Sequence, residues 1–191
     1  MNVISSKRLK LVPVTPENAA LLWDVLQEPD LRDYQDLPDL DRGQFSNAVS
    51  ERPKSLAPGS TGRFEWLVYF DEAAEAAIGW VSLRISDRTH STAEIGYSVV
   101  RAYRGRGIAT EAVAALVAEG FRSARLRRIR AYCVPDNLSS RAVLRRNGFE
   151  DDGMLRHGAT VQGQPVDVLA HTLERDRWQT LTASSRQATG S

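Results

Sequence analysis

Residues 93–110, AEIGYSVVRAYRGRGIAT, decide the fold of this chain. In the first part of the stretch every second residue is apolar or aromatic, the period of two that is typical of a half-buried strand. One side of this strand carries Ala93, Ile95, Tyr97 and Val99. A turn rich in arginine and glycine follows, and from Thr110 apolar residues recur at steps of three and four, which predicts a helix with one buried stripe.

A strand, a glycine turn and a helix N-terminus in direct succession predict a cradle for phosphate. The N–H groups of the first helical turn lack partners within the helix, and the positive end of the helix dipole points the same way. The glycines allow the backbone to approach an anion closely. The turn is neither the GxxxxGKS/T loop that serves a nucleoside triphosphate nor the GxGxxG dinucleotide fingerprint.

Read as Arg104-x-x-Gly107-x-Ala109, the turn resembles the pyrophosphate loop of the GNAT acetyltransferase superfamily, Arg/Gln-x-x-Gly-x-Gly/Ala. The other interpretation is an ordinary glycine turn with incidental arginines. The resemblance implies acetyl-CoA as cosubstrate. It implies that CoA is held by Ser98, Val99, Val100, Arg104, Gly105, Arg106, Gly107, Ile108, Ala109 and Thr110.

A second motif, residues 137–149, resembles the family segment N-x-x-S/A-x-x-x-L-x-x-x-G-F. In that family the asparagine and the residue three positions later face the pantetheine arm and the sulfur. Asn137 and Ser140 are one turn apart on one helix face and can address the same ligand. Alternatively, Asn137 is only an N-cap and Ser140 only fills the first turn. The segments 8–19 and 148–178 are similar to the branch that includes ribosomal-protein N-terminal acetyltransferases, with His171-Thr172 where that branch has Tyr-Ser.

The order of elements indicates an α/β (α+β) protein. We expect the acyl-CoA N-acyltransferase fold, with a central mixed, mostly antiparallel sheet of about seven strands and helices on both faces. A first helix is expected to start at the hydroxyl cap Thr15 and at Pro16. Residues 1–178 are expected to form one domain, and residues 179–191 a polar, flexible tail.

The composition of the chain argues against disulfides, membrane helices and metal sites. The chain has 191 residues, a net charge of +1 and a single cysteine, Cys133, which excludes an internal disulfide. No apolar run approaches the roughly 20 residues of a membrane helix, and residues 1–10 lack a signal-peptide core, so we expect a cytoplasmic protein without membrane partners. The three histidines, His90, His157 and His171, lack metal-ligand spacing, and we expect no metal. His171 and Cys133 are expected to be buried core residues.

The resemblance implies direct attack of an amine on the thioester of acetyl-CoA. The primary amine belongs to a protein N-terminus or to a small molecule. Glu94, the carboxylate within the central strand, is the candidate base; alternatively it pairs with an arginine. Many members of the family use a tyrosine in this helix as the general acid, and this chain has Arg145 at that position. Ser140 is therefore the candidate to protonate or hydrogen-bond the leaving sulfur. A bulge at residues 98–100 is expected to supply an N–H group to the thioester oxygen.

Four questions stay open in the sequence: catalytic activity, nucleic-acid contact, the acceptor and the oligomeric state. The protein could be a relative that binds acyl-CoA without catalysis, and the five arginines of residues 122–130 could contact nucleic acid. The near-neutral charge argues against the latter, and we expect no nucleic-acid partner. The acidic residues 30–41 indicate a cationic acceptor. The protein is expected to be a monomer or a homodimer.

Overall fold

The computed structural model describes residues 1–31, 33–34, 40–71, 76–87 and 91–188. Most of the acidic segment 30–41, residues 72–75 and His90 lie outside the described residues. The described part contains strands β1 (Ile4–Ser5), β2 (Leu9–Pro13), β3 (Gly62–Phe70), β4 (Gly79–Asp87), β5 (Thr92–Val99), β6 (Arg128–Cys133), β7 (Glu150–Val161) and β8 (Gln164–Glu174). Its helices are α1 (Ala19–Leu26), α2 (Arg42–Ser50), α3 (Ile108–Arg122), α4 (Leu138–Arg146) and α5 (Arg175–Ala188).

The strands form one mixed sheet in the order β1-β2-β3-β4-β5-β6-β8-β7. Among the described strands, β5 and β6 are the only parallel neighbours, because α3 crosses between them; the other neighbouring pairs are antiparallel. The expected fold class is confirmed. The sheet has eight strands where about seven were expected, since the short β1 adds an edge strand.

The parallel pair β5–β6 separates soon after it begins. Pairing covers Thr92 with Arg128, Ala93 with Ile129, and Glu94 with Arg130. Beyond the last pair, β5 remains bonded to β4 as far as Val99, while β6 remains bonded to β8 as far as Cys133. The two strands are thus held by opposite halves of the sheet, and a gap opens between them. This gap positions the candidate site.

Two hydrophobic cores lie on opposite faces of the sheet. On one face α3 buries the stripe that its sequence predicts, including Val113, Leu116 and Phe121, against β4, β5 and the N-terminal strands. On the other face α1 and α2 pack against Leu67, Tyr69 and Trp80. Strands β3 and β4 contribute to both cores because successive side chains of a strand point to opposite faces.

Two helix boundaries differ from the expectation. Helix α1 begins at Ala19 and not near Pro16, because the Asn18 carboxamide accepts a hydrogen bond from the Thr15 N–H and donates one to the Pro13 carbonyl, which makes residues 15–18 a turn. Residues 179–188, expected to be a tail, continue helix α5. This helix is anchored by Trp178, whose ring centroid lies 5.2 Å from that of Phe121.

Candidate active site

A cavity of about 480 Å³ lies in the gap between β5 and β6. Its wall is formed by the diverging ends of these two strands, the turn before α3 and the first turns of α3 and α4. The cavity also reaches Leu31 and Tyr34, which follow α1 on the other face of the sheet. It therefore passes through the sheet and can receive two reactants from opposite sides.

The turn between β5 and α3 has the conformation of an anion cradle. Gly105 and Gly107 have φ angles of 76° and 75°, a region that residues with a Cβ atom rarely adopt. Gly107 is the N-cap of α3, and the first intrahelical hydrogen bond runs from the Glu111 N–H to its carbonyl. The N–H groups of Ile108, Ala109 and Thr110 consequently have no acceptor within the helix. All three residues line the cavity.

The cradle is fixed to the rest of the molecule by one ion pair and by hydrogen bonds to backbone carbonyls. Arg8 lies 2.7 Å from Glu111 through its Nε atom and also donates to the carbonyl of Arg106 at 3.3 Å. Burial raises the pKa of Glu111, but hydrogen bonds from Ser6 and Arg8 outweigh it and leave the pKa below its usual value. Arg104 donates from Nε to the carbonyl of Val99 at 2.8 Å, which ties the turn to β5.

Of the residues expected to hold CoA, the structure brings most to the cavity wall. Arg106 and Val100 are the exceptions. The Arg106 guanidinium lies 5.7 Å from the centre of the Tyr103 ring. The residues that line the cavity are Ser98, Val99, Arg104, Gly105, Gly107, Ile108, Ala109, Thr110 and Asn137.

The bulge expected at residues 98–100 is absent. Pairing with β4 stays in register through Val99, opposite Gly79, and the Val100 N–H donates to the Ile78 carbonyl at 2.9 Å. The register shift lies at the other end of the pair, between Ile85 and Asp87. Since Val100 points its N–H toward β4, strand alternation turns the N–H groups of Tyr97 and Val99 toward the gap. A donor is available there without a bulge.

The start of α4 places polar groups in the same cavity. The Asn137 carboxamide oxygen accepts the Ser140 N–H at 2.9 Å, so Asn137 is the N-cap and also lines the cavity. The Ser140 hydroxyl lies 2.9 Å from the phenol oxygen of Tyr97 on β5. Burial raises the pKa of Tyr97 far above its usual value, which keeps the phenol protonated. The cavity wall thus contains a phenol from β5, whereas α4 has Arg145 at the position of the family's tyrosine.

Glu94 does not line the cavity. It forms an ion pair with Arg84 across the β4–β5 register, with 2.5 Å between Nη2 and Oε2, as the alternative interpretation of its sequence proposed. Glu94 belongs to the last β5–β6 pair, so it lies where the gap between these strands begins. It is on the same face of β5 as Gly96, which lines the cavity. This geometry does not support direct proton abstraction by Glu94.

Cys133 and His171 are buried, as expected, but they are connected. The Cys133 Sγ atom lies 3.5 Å from His171 Nε2, and His171 Nδ1 lies 2.9 Å from Asp151 Oδ1. Cys133 also lines the cavity, whereas the Asp151 side chain is 79% exposed. The sequence did not indicate this link, because Cys133 and His171 meet only through the β6–β8 pairing.

A family model for the acetyltransferase (GNAT) domain matches residues 8–150. The chain belongs to the GNAT acetyltransferase family. Uncharacterized N-acetyltransferase p20 of Bacillus licheniformis is 29% identical over 91% of this chain and 96% of its own length. The ribosomal-protein-serine acetyltransferase of Escherichia coli is 38% identical over 48% of this chain and 51% of its own length.

Solved GNAT structures share the fold. The ribosomal-protein-S5-alanine acetyltransferase from Vibrio fischeri superposes with a TM-score of 0.80 at 19% identity, covering 93% of this chain and 99% of that one. RimL, a ribosomal L7/L12 α-N-protein acetyltransferase in complex with coenzyme A, gives 0.79 at 22% identity, covering 92% and 99%. Within the described residues of the present GNAT chain, no group of three or more His, Cys, Asp or Glu side chains could hold a metal, and no helix is long and apolar enough to span a membrane.

Proposed function

We propose that this protein transfers the acetyl group of acetyl-CoA directly to the α-amino group of a polypeptide. The observation that carries the proposal is the cavity in the gap between β5 and β6, whose wall includes the phosphate cradle and also Leu31 and Tyr34, which follow α1. Relatives in the same family are named as acetyltransferases of ribosomal proteins, which supports a polypeptide acceptor.

In this proposal acetyl-CoA binds in a single orientation. Its diphosphate suits the cradle of Gly105, Gly107 and the first turn of α3, where N–H groups and the helix dipole favour negative charge. The acyl end then lies in the gap between β5 and β6. There the N–H groups of Tyr97 and Val99 can donate to the thioester oxygen as negative charge develops, a contact worth about 3 kcal/mol.

The leaving sulfur needs a hydrogen-bond donor. Tyr97 and Ser140 meet in the cavity wall and share a hydrogen bond, and the raised pKa of Tyr97 keeps its proton in place. The pair can therefore donate a hydrogen bond to the departing thiolate. Because the phenol keeps its proton, the proton that converts the thiolate into a thiol comes from the attacking amine as its nitrogen is acylated.

The proton balance favours an α-amino acceptor. The titratable groups that the structure describes in the cavity wall are tyrosines, arginines and one cysteine. None of these is a strong base at neutral pH. An α-amino group, with a pKa of about 7.7–8.0, is partly unprotonated near neutral pH, whereas a lysine amine with a pKa of about 10.4 is almost entirely charged. The α-amino group of a polypeptide therefore depends less on a base of the protein for deprotonation than a lysine amine does.

The acceptor side of the opening carries a charged row across the sheet. We define the charged row as Arg63, Arg84, Glu94 and Arg130, which lie in register on β3, β4, β5 and β6. The first two arginine side chains are about half exposed, and the buried Nε atom of Arg130 has no hydrogen-bond partner among the described residues. The charged row contains three arginines and one glutamate and therefore has a net positive charge. This charge favours an acceptor with carboxylates close to its N-terminus.

The experiment is a thiol-release assay with acetyl-CoA and two matched peptides, one with a free N-terminus and one with a blocked N-terminus, both containing lysine. We expect release only with the free N-terminus, and fragmentation mass spectrometry should place the acetyl group on the α-nitrogen. Acetylation of lysine in both peptides would contradict the proposal. Tight CoA binding without release by any peptide would support the alternative, a relative that binds acyl-CoA without catalysis.

A further inference from the structure

A line of polar side chains runs from the cavity to the protein surface. We define the polar chain as five side chains from five different elements: Tyr97, Ser140, Cys133, His171 and Asp151. The Tyr97 phenol lies 2.9 Å from the Ser140 hydroxyl, which also hydrogen-bonds the Cys133 thiol. Cys133 Sγ lies 3.5 Å from His171 Nε2, and His171 Nδ1 lies 2.9 Å from Asp151 Oδ1. The first three members line the cavity and Asp151 is exposed, so the polar chain links the cavity to solvent.

His171 is the member of the polar chain that carries no charge at rest but gains one on mild acidification. Within the described residues, the charged and titratable groups that face it are Cys133 on β6, Asp151 on β7 and Arg141 on α4. Burial lowers the pKa of His171, Arg141 acts in the same direction, and Asp151 opposes both. Burial raises the pKa of Cys133 and that of Tyr97, so both keep their protons. The ring is therefore neutral near pH 7 and takes up a proton as the pH falls.

The neutral imidazole draws the hydrogen bonds of the polar chain away from the cavity. Its Nδ1–H donates to the Asp151 carboxylate, so Nε2 is an acceptor and receives a hydrogen bond from the Cys133 thiol. Cys133 Sγ in turn accepts from the Ser140 hydroxyl, and Ser140 Oγ accepts from the Tyr97 phenol. In this state both hydroxyl protons are engaged within the protein.

A proton on Nε2 reverses this direction. His171 then donates to Cys133 Sγ, and the thiol proton turns to Ser140 Oγ. The Ser140 hydroxyl turns to the oxygen of Tyr97, which leaves the phenol proton free for an acceptor in the cavity. The positive charge on the ring also strengthens the hydrogen bonds that begin at it.

We propose that His171, held by Asp151, is a positioning residue for acetyl transfer, because its protonation turns the Tyr97 phenol toward the leaving sulfur. The inference rests on the proposed function, which assigns the stabilisation of that sulfur to Tyr97 and Ser140. His171 does not line the cavity and acts only through Cys133 and Ser140. Mild acidification therefore aids departure of the sulfur, in opposition to the loss of unprotonated amine.

The test is the pH dependence of kcat/KM for the free-N-terminus peptide, measured at saturating acetyl-CoA with the wild type and His171→Gln. Glutamine does not titrate and keeps a hydrogen-bonding group beside Cys133. The ionisation of the free peptide is the same for both enzymes and cancels in the ratio of their kcat/KM values. We expect the ratio of wild type to His171→Gln to rise about threefold or more from about pH 8 to about pH 5.5. A ratio independent of pH would overturn the inference.

His157→Gln is the matched control. His157 is an exposed residue of β7 that does not line the cavity. Its replacement should leave the pH dependence of the wild type unchanged. The same rise in the ratio of wild type to His157→Gln would mean that loss of any histidine produces the effect, and would contradict the role of His171.

Two further variants probe the polar chain without replacing the buried histidine. Asp151→Asn should keep the fold because Asp151 is exposed, and it should move the pH-dependent gain to lower pH, because the carboxylate raises the pKa of His171. Cys133→Ala interrupts the polar chain, so adding His171→Gln to it should cause no further pH-dependent loss. An unshifted gain in Asp151→Asn, or a full effect of His171→Gln without Cys133, would overturn the inference even where His171→Gln alone does not fold.

These outcomes differ from failure of the proposed function. A wild type that binds acetyl-CoA and acetylates the peptide, with a ratio to His171→Gln that does not change with pH, overturns only the role of His171. A wild type that acetylates no peptide overturns the proposed function and this inference together.

Discussion

At the scale of single residues, the proposed function assigns the stabilisation of the leaving sulfur to Tyr97 and Ser140, whose hydroxyls are in contact. Replacing the phenol by Tyr97→Phe removes a hydrogen-bond donor from the leaving sulfur but keeps the ring packed. We expect kcat to fall about 10²-fold, with little change in the affinity for acetyl-CoA, because removing one hydrogen-bond donor aimed at developing negative charge costs about 10²–10³-fold. Steady-state kinetics with the free-N-terminus peptide measure this.

Ser140→Ala is the partner variant, and it should lower kcat less than Tyr97→Phe because the phenol remains. The double variant should be no worse than about the more damaging single variant, since the two groups act as a unit. Fully multiplicative losses would show that the two hydroxyls act independently and would contradict this assignment.

Glu94 provides a second prediction at this scale. Because its carboxylate is paired with Arg84 outside the cavity wall, Glu94→Gln should lower kcat less than tenfold and leave the pH dependence of kcat governed by the acceptor amine. A general base would cost about 10²–10⁴-fold and would remove the acidic limb of the pH profile. The second result would restore the role first expected from the sequence.

At the scale of elements, we propose that the N-terminus of α3 binds the diphosphate of CoA. Gly107→Ala forces a Cβ into a φ of 75°, at a cost of about 1–2 kcal/mol that the turn can relieve only by changing shape. We expect the Kd for CoA to rise about tenfold, which corresponds to about 1.4 kcal/mol. Isothermal titration calorimetry measures the change.

Gly59→Ala is the matched control for this variant. Gly59 has a φ of 79° and open space around its Cβ position, but it does not line the cavity. Both variants should lower the melting temperature by a few degrees. Only Gly107→Ala should weaken CoA binding. Equal weakening by both would mean that general strain, and not the cradle, explains the effect.

The elements also show what a sequence can reveal about this site. The cradle and Asn137 are predictable because each depends on a few consecutive residues, namely a glycine turn and a helix cap. The catalytic pair is less accessible, because Tyr97 alternates with core residues and meets Ser140 only when α4 packs beside β5. The start of α1 was missed for a local reason, since Asn18 competes with Thr15 for the capping position.

At the scale of the whole molecule, the sheet separates the two substrates. The cradle at the start of α3 lies on one face of the sheet, and the charged row lies on the opposite face, where β3 to β6 bring distant arginines into register. The sequence-based expectation of a cationic acceptor rested on residues 30–41, most of which lie outside the described part of the chain. The charged row predicts that carboxylates after the acceptor N-terminus strengthen binding.

Arg130→Gln tests this prediction with peptides that carry Glu or Gln at the second and third positions. We expect wild-type kcat/KM to favour the acidic peptide about tenfold at low salt, and the variant to lose most of this preference while keeping its activity on the neutral peptide. Arg127→Gln, at an exposed position just before β6, is the control and should keep the preference. An unchanged preference in Arg130→Gln would exclude the charged row as the acceptor surface.

The most direct test of the central claim is calorimetric titration of acetyl-CoA into the wild type, Ala109→Glu and Ala114→Glu. Both alanines lie on α3, but only Ala109 lines the cavity, and Ala114 is exposed. We predict one acetyl-CoA per wild-type chain, at least tenfold weaker binding by Ala109→Glu because its carboxylate repels the diphosphate, and unchanged binding by Ala114→Glu. Absence of binding to the wild type, or equal affinity for both variants, would contradict the account.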